Sequence, residues 1–325
     1  MSIYDIHASK LNDVYDLSGE KINAAFDVTG GKVFTGLATV SLDQVSEIFR
    51  EETAAAMAYL NEMPDSYANY VVVTDTHYSA NFGHSATIVN YLYGSGKVDK
   101  LVHLGDLLND TNVGSENWQN LVDAGLLYYG GNWLFAQGNH DAHLVPLADA
   151  MAYFEPDSVH YTINAMHNAY YYDNKKHGIR FLVLHHYLSA NSAIRSEVEN
   201  WIKYRPSGYK WAILQHSPFN NGTWGEEMCV GSGSSLYNLI EENSGFIGNF
   251  CGHLHLDSLD EISSGTKTFH QMTFDTDGSG GRGDDANGQV VTIVSINPYA
   301  EHVKFYRIGR SEDLGVKQWE YNGFT

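Results

Sequence analysis

Five short polar clusters, each closing an apolar, β-prone run, constrain this chain more than any other feature. Val71-Val72-Val73 passes into Thr74-Asp75-Thr76-His77, and Leu101-Val102-His103-Leu104 into Gly105-Asp106-Leu107-Leu108-Asn109. Further on, Phe135-Ala136-Gln137 meets Gly138-Asn139-His140-Asp141, Ile213-Leu214-Gln215 meets His216, and Phe250-Cys251 meets Gly252-His253-Leu254-His255. Helical patterns over 85–93, 117–127, 193–203 and 234–241 alternate with strand patterns over 70–74, 101–104, 133–136, 169–173, 179–185, 211–215 and 246–251. Strands over 266–274, 289–296 and 302–308 then follow without intervening helices. Alternating units that finish in consecutive strands predict an α/β core with mixed sheets, and such sheets gather ligands beyond the carboxyl ends of their strands.

The clusters supply carboxylate, imidazole and amide groups, a donor set that suits manganese, iron, zinc, nickel or a similar divalent metal. Asp75/His77 and His253/His255 are i, i+2 pairs; in extended backbone both members share a face, so each pair is predicted to converge from a strand-like segment. Glycines just before Asp106, Asn139 and His253 let the backbone turn sharply or approach the cluster closely.

The chain has 325 residues, 43% hydrophobic and 18% charged, which excludes a disordered polymer. Its formal charge of −20 opposes binding to a nucleic-acid duplex or an anionic membrane. Two cysteines make no disulfide framework, the amino terminus has no secretory pattern, and no run approaches the roughly 18 apolar residues of a membrane span. Residues 1–33 repeat with a period of eleven: Tyr4, Tyr15 and Phe26 align, as do Asp5, Asp16 and Asp27, and Lys10, Lys21 and Lys32. Gly19, Gly30 and Gly31 lie among β-type residues, so the repeats read as strand–turn–strand units that pack on a neighbour or mediate self-association. A helix over 41–63 follows, with Ser41 and Gln44 as a capping box and Val45, Ile48, Phe49, Ala56 and Leu60 as its apolar stripe. The predicted organisation is thus a repeat appendage over 1–33, a connecting helix within 34–66, one catalytic domain over 67–310 and a tail over 311–325.

In this order the five clusters resemble the signature of the calcineurin-like metallophosphoesterase family: D-x-H, G-D-x-x-(N/D), G-N-H-(D/E), a lone His, and G-H-x-H. The resemblance implies a four-layer α/β/β/α sandwich with two mixed sheets and a dinuclear site at one edge. Carried over residue by residue, Asp75, His77, Asp106 and His255 would hold one metal, and Asp106 would bridge to a second completed by Asn139, His216 and His253. The two ions would create a positive centre that this acidic chain otherwise lacks. A hydroxide between them would attack phosphorus, with His140 beside the cluster protonating the leaving alkoxide or stabilising phosphate charge. Either Asp141 or Asn109 would orient the His140 imidazole. Asn109 stands where purple acid phosphatases carry a tyrosine, and Asp110-Thr111-Asn112 lacks the arginine of calcineurin-type protein phosphatases. The first departure argues against a tyrosinate-bound ferric ion and the second against a phosphoprotein substrate; the chain looks closer to the phosphodiesterase-like members, so a phosphodiester is expected, with a phosphomonoesterase acting on nucleotides or small metabolites as the alternative.

Several further residues are candidates by position. His84 and His143 follow the first and third clusters, His185 and His186 end a strand, and Tyr78, Asn81, Phe219, Asn220 and Trp224 are candidate cleft-wall residues. Gly278–Gly283 spells G-x-G-x-x-G without the following helix of a dinucleotide site, which leaves Arg282 as a candidate phosphate contact beside Asp275, Asp277, Asp284 and Asp285. His84, His186 and Arg282 are the candidate substrate-binding residues, and Cys251 reads as buried. The amino-terminal repeats resemble Tyr-Asp-x-x-Gly units of some phage tail and appendage proteins. That likeness implies a virion-borne rather than a cytoplasmic enzyme, or a structural and adhesion component whose metal site is secondary.

Overall fold

A computed structural model describes residues 25–26, 32–33, 40–77, 82–108, 132–143, 159–164, 167–185, 192–220, 222–223, 229–230, 235–275, 290–310 and 313–325. By its internal contacts the chain divides into two units, Met1–Val40 and Ser41–Thr325. In the first, strand β1 (Ala25–Phe26) pairs antiparallel with β2 (Lys32–Val33); the rest of the eleven-residue repeats lies outside the described residues.

The second unit opens with a single 3-10 turn at Leu42–Gln44, where the Ser41 N–H donates to Gln44 Oε1 at 2.8 Å. The capping pattern closes this turn, and helix α1 starts later, at Glu47–Glu62. Its buried stripe is Phe49, Thr53, Ala56 and Leu60, spaced four, three and four residues apart as one helical face requires. Ile48, expected on that stripe, is 56% exposed, because it stands one residue, about 100°, from Phe49.

The remaining elements are β3 (Ala68–Val73), α2 (Phe82–Gly94), β4 (Lys100–His103), β5 (Trp133–Phe135), β6 (Val159–Asn164), β7 (His167–Asn174), β8 (Ile179–Leu184), α3 (Ser192–Lys203), β9 (Lys210–Gln215), α4 (Ser235–Glu242), β10 (Phe246–Cys251), β11 (Ser258–Ser263), β12 (Thr268–Thr273), β13 (Val290–Asn297), β14 (His302–Gly309) and β15 (Gln318–Asn322). The helix predicted over 117–127 falls outside the described residues. Two mixed sheets result, one of six strands in the order β15-β14-β13-β3-β4-β5 and one of seven in the order β11-β12-β10-β9-β8-β7-β6. In the six-stranded sheet β3, β4 and β5 run parallel at one end and antiparallel strands make up the other, while in the seven-stranded sheet a parallel centre of β8, β9, β10 and β12 has antiparallel strands on both sides.

Strands covered on both faces need apolar residues at every position, and Ile-Arg-Phe-Leu-Val-Leu of β8 shows how these are shared out. Phe181 and Val183 join the core between the two sheets, while Leu182 and Leu184 face a second core built with Val198, Trp201 and Ile202 of α3 and Leu236, Leu239 and Ile240 of α4. Helices α1 and α2 cover the far side of the six-stranded sheet, so the layers run helix, sheet, sheet, helix. Each such fully buried Leu, Ile or Phe contributes about 1.5–3 kcal/mol. Among the described residues no helix is long and apolar enough to cross a membrane.

Polar links pin the sheets to each other. The Tyr170 hydroxyl accepts from the Phe135 N–H at 2.7 Å, Asn174 Nδ2 donates to the Tyr70 hydroxyl at 2.8 Å, and the Tyr321 hydroxyl donates to Ile247 O at 3.0 Å. Buried Arg307 of β14 grips both carboxylate oxygens of Asp257, which precedes β11. Residues 311–325, read from the sequence as a tail, supply edge strand β15, and Thr325 exchanges backbone hydrogen bonds with Phe246 at 2.8 and 2.9 Å. The strand β11 (Ser-Leu-Asp-Glu-Ile-Ser) escaped the sequence reading because an edge strand with one solvated face needs little apolar residue content. Arg307→Leu leaves the Asp257 carboxylate buried without its counter-charge and is expected to cost about 3–5 kcal/mol; equilibrium urea unfolding checks this as a lowered midpoint at constant slope.

Candidate metal centre

Each of the five clusters lies just past the carboxyl end of a parallel strand: Asp75 and His77 after β3, Asp106 after β4, Asn139 and His140 after β5, His216 after β9, and His253 and His255 after β10. The backbone there is not extended. Asp75 (φ 51°), His77 (φ 47°), Asp106 (φ 53°), His253 (φ 73°) and His255 (φ 52°) all occupy the left-handed region. This corrects the expectation that the i, i+2 pairs converge through a strand-like pleat: β3 stops at Val73 and β10 at Cys251, and left-handed turns bring each pair together. For L-residues this conformation costs about 1–2 kcal/mol each. Backbone bonds help hold it, with the Asp75 N–H donating to Gly105 O and the His77 N–H to Asp106 O, each at 2.9 Å.

Both aspartates are anchored through one oxygen and present the other. Asp75 Oδ2 accepts from the Thr74 hydroxyl at 2.6 Å and from the His253 N–H at 3.0 Å, while Oδ1 faces His255 Nε2 at 3.1 Å, His216 Nε2 at 3.8 Å and His77 Nε2 at 3.9 Å. Asp106 Oδ1 accepts from the His140 N–H at 2.9 Å, and Oδ2 faces His216 Nε2 at 3.0 Å, His77 Nε2 at 3.8 Å and His140 Nε2 at 3.9 Å. One donor set is therefore Asp75, His77 and His255, another is Asp106, His216 and His253, and Asp106 also groups with His77 and His140. Asp106 and His77 each recur in two sets, and Asp106 is the carboxylate of the two, the place a bridging ligand takes.

The ring nitrogens are crowded. His216 Nδ1 lies 2.8 Å from Leu104 O, and since a carbonyl only accepts, Nδ1 carries a proton, while Nε2 faces Asp106 Oδ2 and holds there either a second proton or a metal ion. His216 Nε2 is also 3.1 Å from His253 Nδ1, and His77 Nε2 is 3.4 Å from His255 Nε2. Acceptors facing acceptors in a buried site require a proton or a metal ion between them. Asn139 Oδ1, next to His140 on the turn that contacts Asp106, is buried and without a hydrogen-bond partner among the described residues, and as an amide oxygen it is the kind of donor that an all-N/O set for a divalent metal takes. Electrostatics agree: burial disfavours a charged His216, yet Asp106 and Asp75 outweigh it and raise the imidazole to about 10. Burial likewise opposes ionisation of Asp75, but His216, His255 and Thr74 hold its carboxyl well below the usual range.

The glycines act in two ways. Gly105 has a φ of 102°, and a Cβ there would meet His216 Nδ1 at 2.6 Å. Gly138 and Gly252 serve by closeness, since a Cβ would fall on the Asp106 carboxylate in one case and on Thr74 and Asp75 in the other. Asp141, one of the two residues expected to orient the His140 ring, bridges backbone: its two oxygens accept from the Leu108 and Gly138 N–H groups, each at 2.9 Å. Burial and then the like charge of Asp106 raise its carboxyl to about 7.

Asn109, His186 and Arg282 lie outside the described residues, as do Tyr78, Asn81 and Trp224. His84 is an exposed residue in the first turn of α2, and His185 is buried. Phe219, a candidate cleft wall, is instead core, edge-on to Tyr237 and Phe269, and Asp275 is buried against Arg310. Cys251 is buried as read, its thiol pushed up by desolvation. Thr74, Thr76 and His103 were not singled out by the sequence reading; their only signal was polarity at the end of an apolar strand.

Because His216 starts protonated and must be neutral to bind, metal uptake releases protons. With its pKa at about 10, affinity for manganese is expected to rise as pH increases from 6 to 9. Calorimetry in buffers of different ionisation enthalpy checks this by counting at least one proton released per chain at pH 8.

The profile of the calcineurin-like phosphoesterase family matches residues 68–257, more than half of the chain. No curated protein matches the sequence. Among solved structures, a dimetal phosphatase from Danio rerio superposes with a TM-score of 0.57 at 10% identity, covering 78% of this chain and 98% of that one. A purple acid phosphatase from yellow lupin (Lupinus luteus) seeds superposes with a TM-score of 0.53 at 10% identity, covering 80% of this chain and 55% of that one. These two are likenesses of fold, while the profile match contains all five polar clusters. The chain belongs to the calcineurin-like phosphoesterase family.

Proposed function

We propose that the chain hydrolyses a phosphodiester at this cluster, with His140 assisting departure of the leaving alkoxide. The observation that carries the reading is the placement of His140. Its side chain is 32% exposed, against 0% for His216 and 6% for His77, and its Nε2 is 3.9 Å from Asp106 Oδ2. With His255, 27% exposed, it marks the open side from which an ester can approach buried ligands. Membership of the family supports hydrolysis of phosphoric esters at a dinuclear centre.

Two divalent ions held by Asp75, His77, Asp106, Asn139, His216, His253 and His255 would supply positive charge for the phosphoryl group and make water acidic enough to attack near neutral pH. The chain's own residues do the rest. Asp75 and Asp106, each anchored through one oxygen, fix the spacing of the donors. Asp141 ties the backbone of Leu108 to that of Gly138 and so keeps the Asp106 and Asn139 turns together. His140 Nε2, turned toward the cluster, is placed to pass a proton to the departing oxygen, which every alkoxide leaving group needs.

The preference for a diester rests on charge. Among the described residues, the side chains grouped at the site are Asp and His, with Asn139 following the same strand end as His140. A diester carries one negative charge and a monoester close to two, so the diester needs less cationic help beyond the metals. The sequence Asp110-Thr111-Asn112, without arginine, points the same way.

The test is hydrolysis of bis(4-nitrophenyl) phosphate and 4-nitrophenyl phosphate by metal-stripped protein with manganese restored. The diester is expected to have the higher kcat/KM, Asp106→Asn to abolish metal-dependent turnover, and His140→Ala to lower kcat by about 100- to 10,000-fold for a diester with an alkyl leaving group and by less for the nitrophenyl esters, whose nitrophenolate departs without a proton. A higher kcat/KM for the monoester would favour the phosphomonoesterase, and turnover intact in Asp106→Asn would remove the two-metal reading.

A further inference from the structure

We infer that His103 and Thr76, fully buried and remote from any substrate, are positioning residues that set the spacing between the two loops carrying Asp75, His77 and Asp106. The inference rests on the reading that the cluster holds metal ions.

The loops leave adjacent parallel strands, β3 and β4, with Val73 opposite His103 in register. Past that point they continue side by side: the Leu104 N–H donates to Val73 O at 3.0 Å, and the Asp75 and His77 N–H groups donate to Gly105 O and Asp106 O. Three of the residues so joined, Asp75, His77 and Asp106, are left-handed. Thr76 sits between the first two, and its side chain reaches His103 rather than the cluster.

The direction of each hydrogen bond follows from chemistry. The Gly105 N–H lies 3.2 Å from His103 Nδ1 and can only donate, so Nδ1 is an acceptor. In neutral imidazole the proton is then on Nε2, which donates to Thr76 Oγ1 at 3.1 Å. That hydroxyl in turn donates to Leu107 O at 3.3 Å. The chain of bonds starts and ends on the Asp106 loop, at Gly105 and Leu107, and passes through the residue between Asp75 and His77. Phe135 and Trp133 flank the His103 ring, with centroids 5.7 and 6.5 Å away, and keep it upright. An apolar pair of similar volume would fill the same space without specifying the register of the loops.

The metal ligands are therefore held by three groups from different places: Thr74 and the His253 N–H on Asp75, the His140 N–H on Asp106, and the His103–Thr76 link between the two loops. Groups behind a metal's own ligands typically change its affinity by about 10- to 100-fold.

The test measures manganese affinity of metal-stripped full-length protein by competition with a chelating dye, without reference to turnover. Thr76→Val keeps the shape of the side chain and removes the hydroxyl; it is expected to weaken manganese binding by about 10- to 100-fold, and Thr76→Ser to restore it. His103→Leu is expected to show a similar loss, His103→Gln a smaller one, and the double variant His103→Leu/Thr76→Val a loss no greater than the larger single one. Wild-type affinity in Thr76→Val, or losses that multiply in the double variant, would overturn the coupling even if His103→Leu failed to fold. No manganese uptake by the wild-type protein would sink the metal reading itself, and the inference with it.

Discussion

Two carboxylates and five imidazoles brought together in a largely buried space are the constraint on which the rest of this structure depends. Asp106 Oδ2 stands 3.0 Å from His216 Nε2, and two further pairs of ring nitrogens approach within 3.1 and 3.4 Å. Without intervening protons or cations such contacts repel, and at low dielectric the repulsion is large. The five left-handed residues add about 5–10 kcal/mol of local conformational cost, of the order of the whole net stability of an ordinary domain. The surrounding fold and the bound cations together must offset both. The arrangement makes sense as a metal site and as little else.

The architecture answers this demand in layers. Parallel strands deliver the clusters to one edge of each sheet, and the two edges face a common space because the sheets are fixed against each other. Side-chain bonds between sheets, from Tyr70, Tyr170, Arg307 and Tyr321, do that fixing, and of these only Tyr70 lies in a strand that leads into the cluster. Closer in, Asp141 ties two ligand turns through their amides, and Gly138 and Gly252 let backbone pass where any Cβ would strike a ligand carboxylate. Farther from the centre, precision matters less: β11 on a sheet edge is polar, and Ile48 on α1 faces solvent.

What the sequence made legible follows from this distribution. The α/β class, the parallel strands and the residues that gather at the candidate site were readable because their residue types are forced: continuous apolar runs for strands covered on both faces, then Gly, Asp, Asn and His where the runs end. Backbone geometry was not readable in the same way. Asp75 and His77 are two apart in a strand-like context, and nothing in their identity says that both turn left-handed; bonds from Gly105 and Asp106, thirty residues on, decide it. Asp141 next to His140 suggested a ring partner, yet amides of Leu108 and Gly138 claim its oxygens, a tertiary contact no local pattern reports. Phe219 looked like a cleft residue by its place after His216, but its backbone is pinned by Gln271 and its ring is drawn into the second core. Residues 311–325 lacked a long apolar run, so β15, which rests on Trp319 and Tyr321, read as a tail.

The most direct test of the central claim is a crystal structure of the manganese-soaked protein with anomalous scattering recorded for the metal. The account predicts two anomalous peaks roughly 3.5–4 Å apart, one among Asp75, His77 and His255, the other among Asn139, His216 and His253, with Asp106 touching both. A single peak, or two peaks that do not share Asp106, would contradict it.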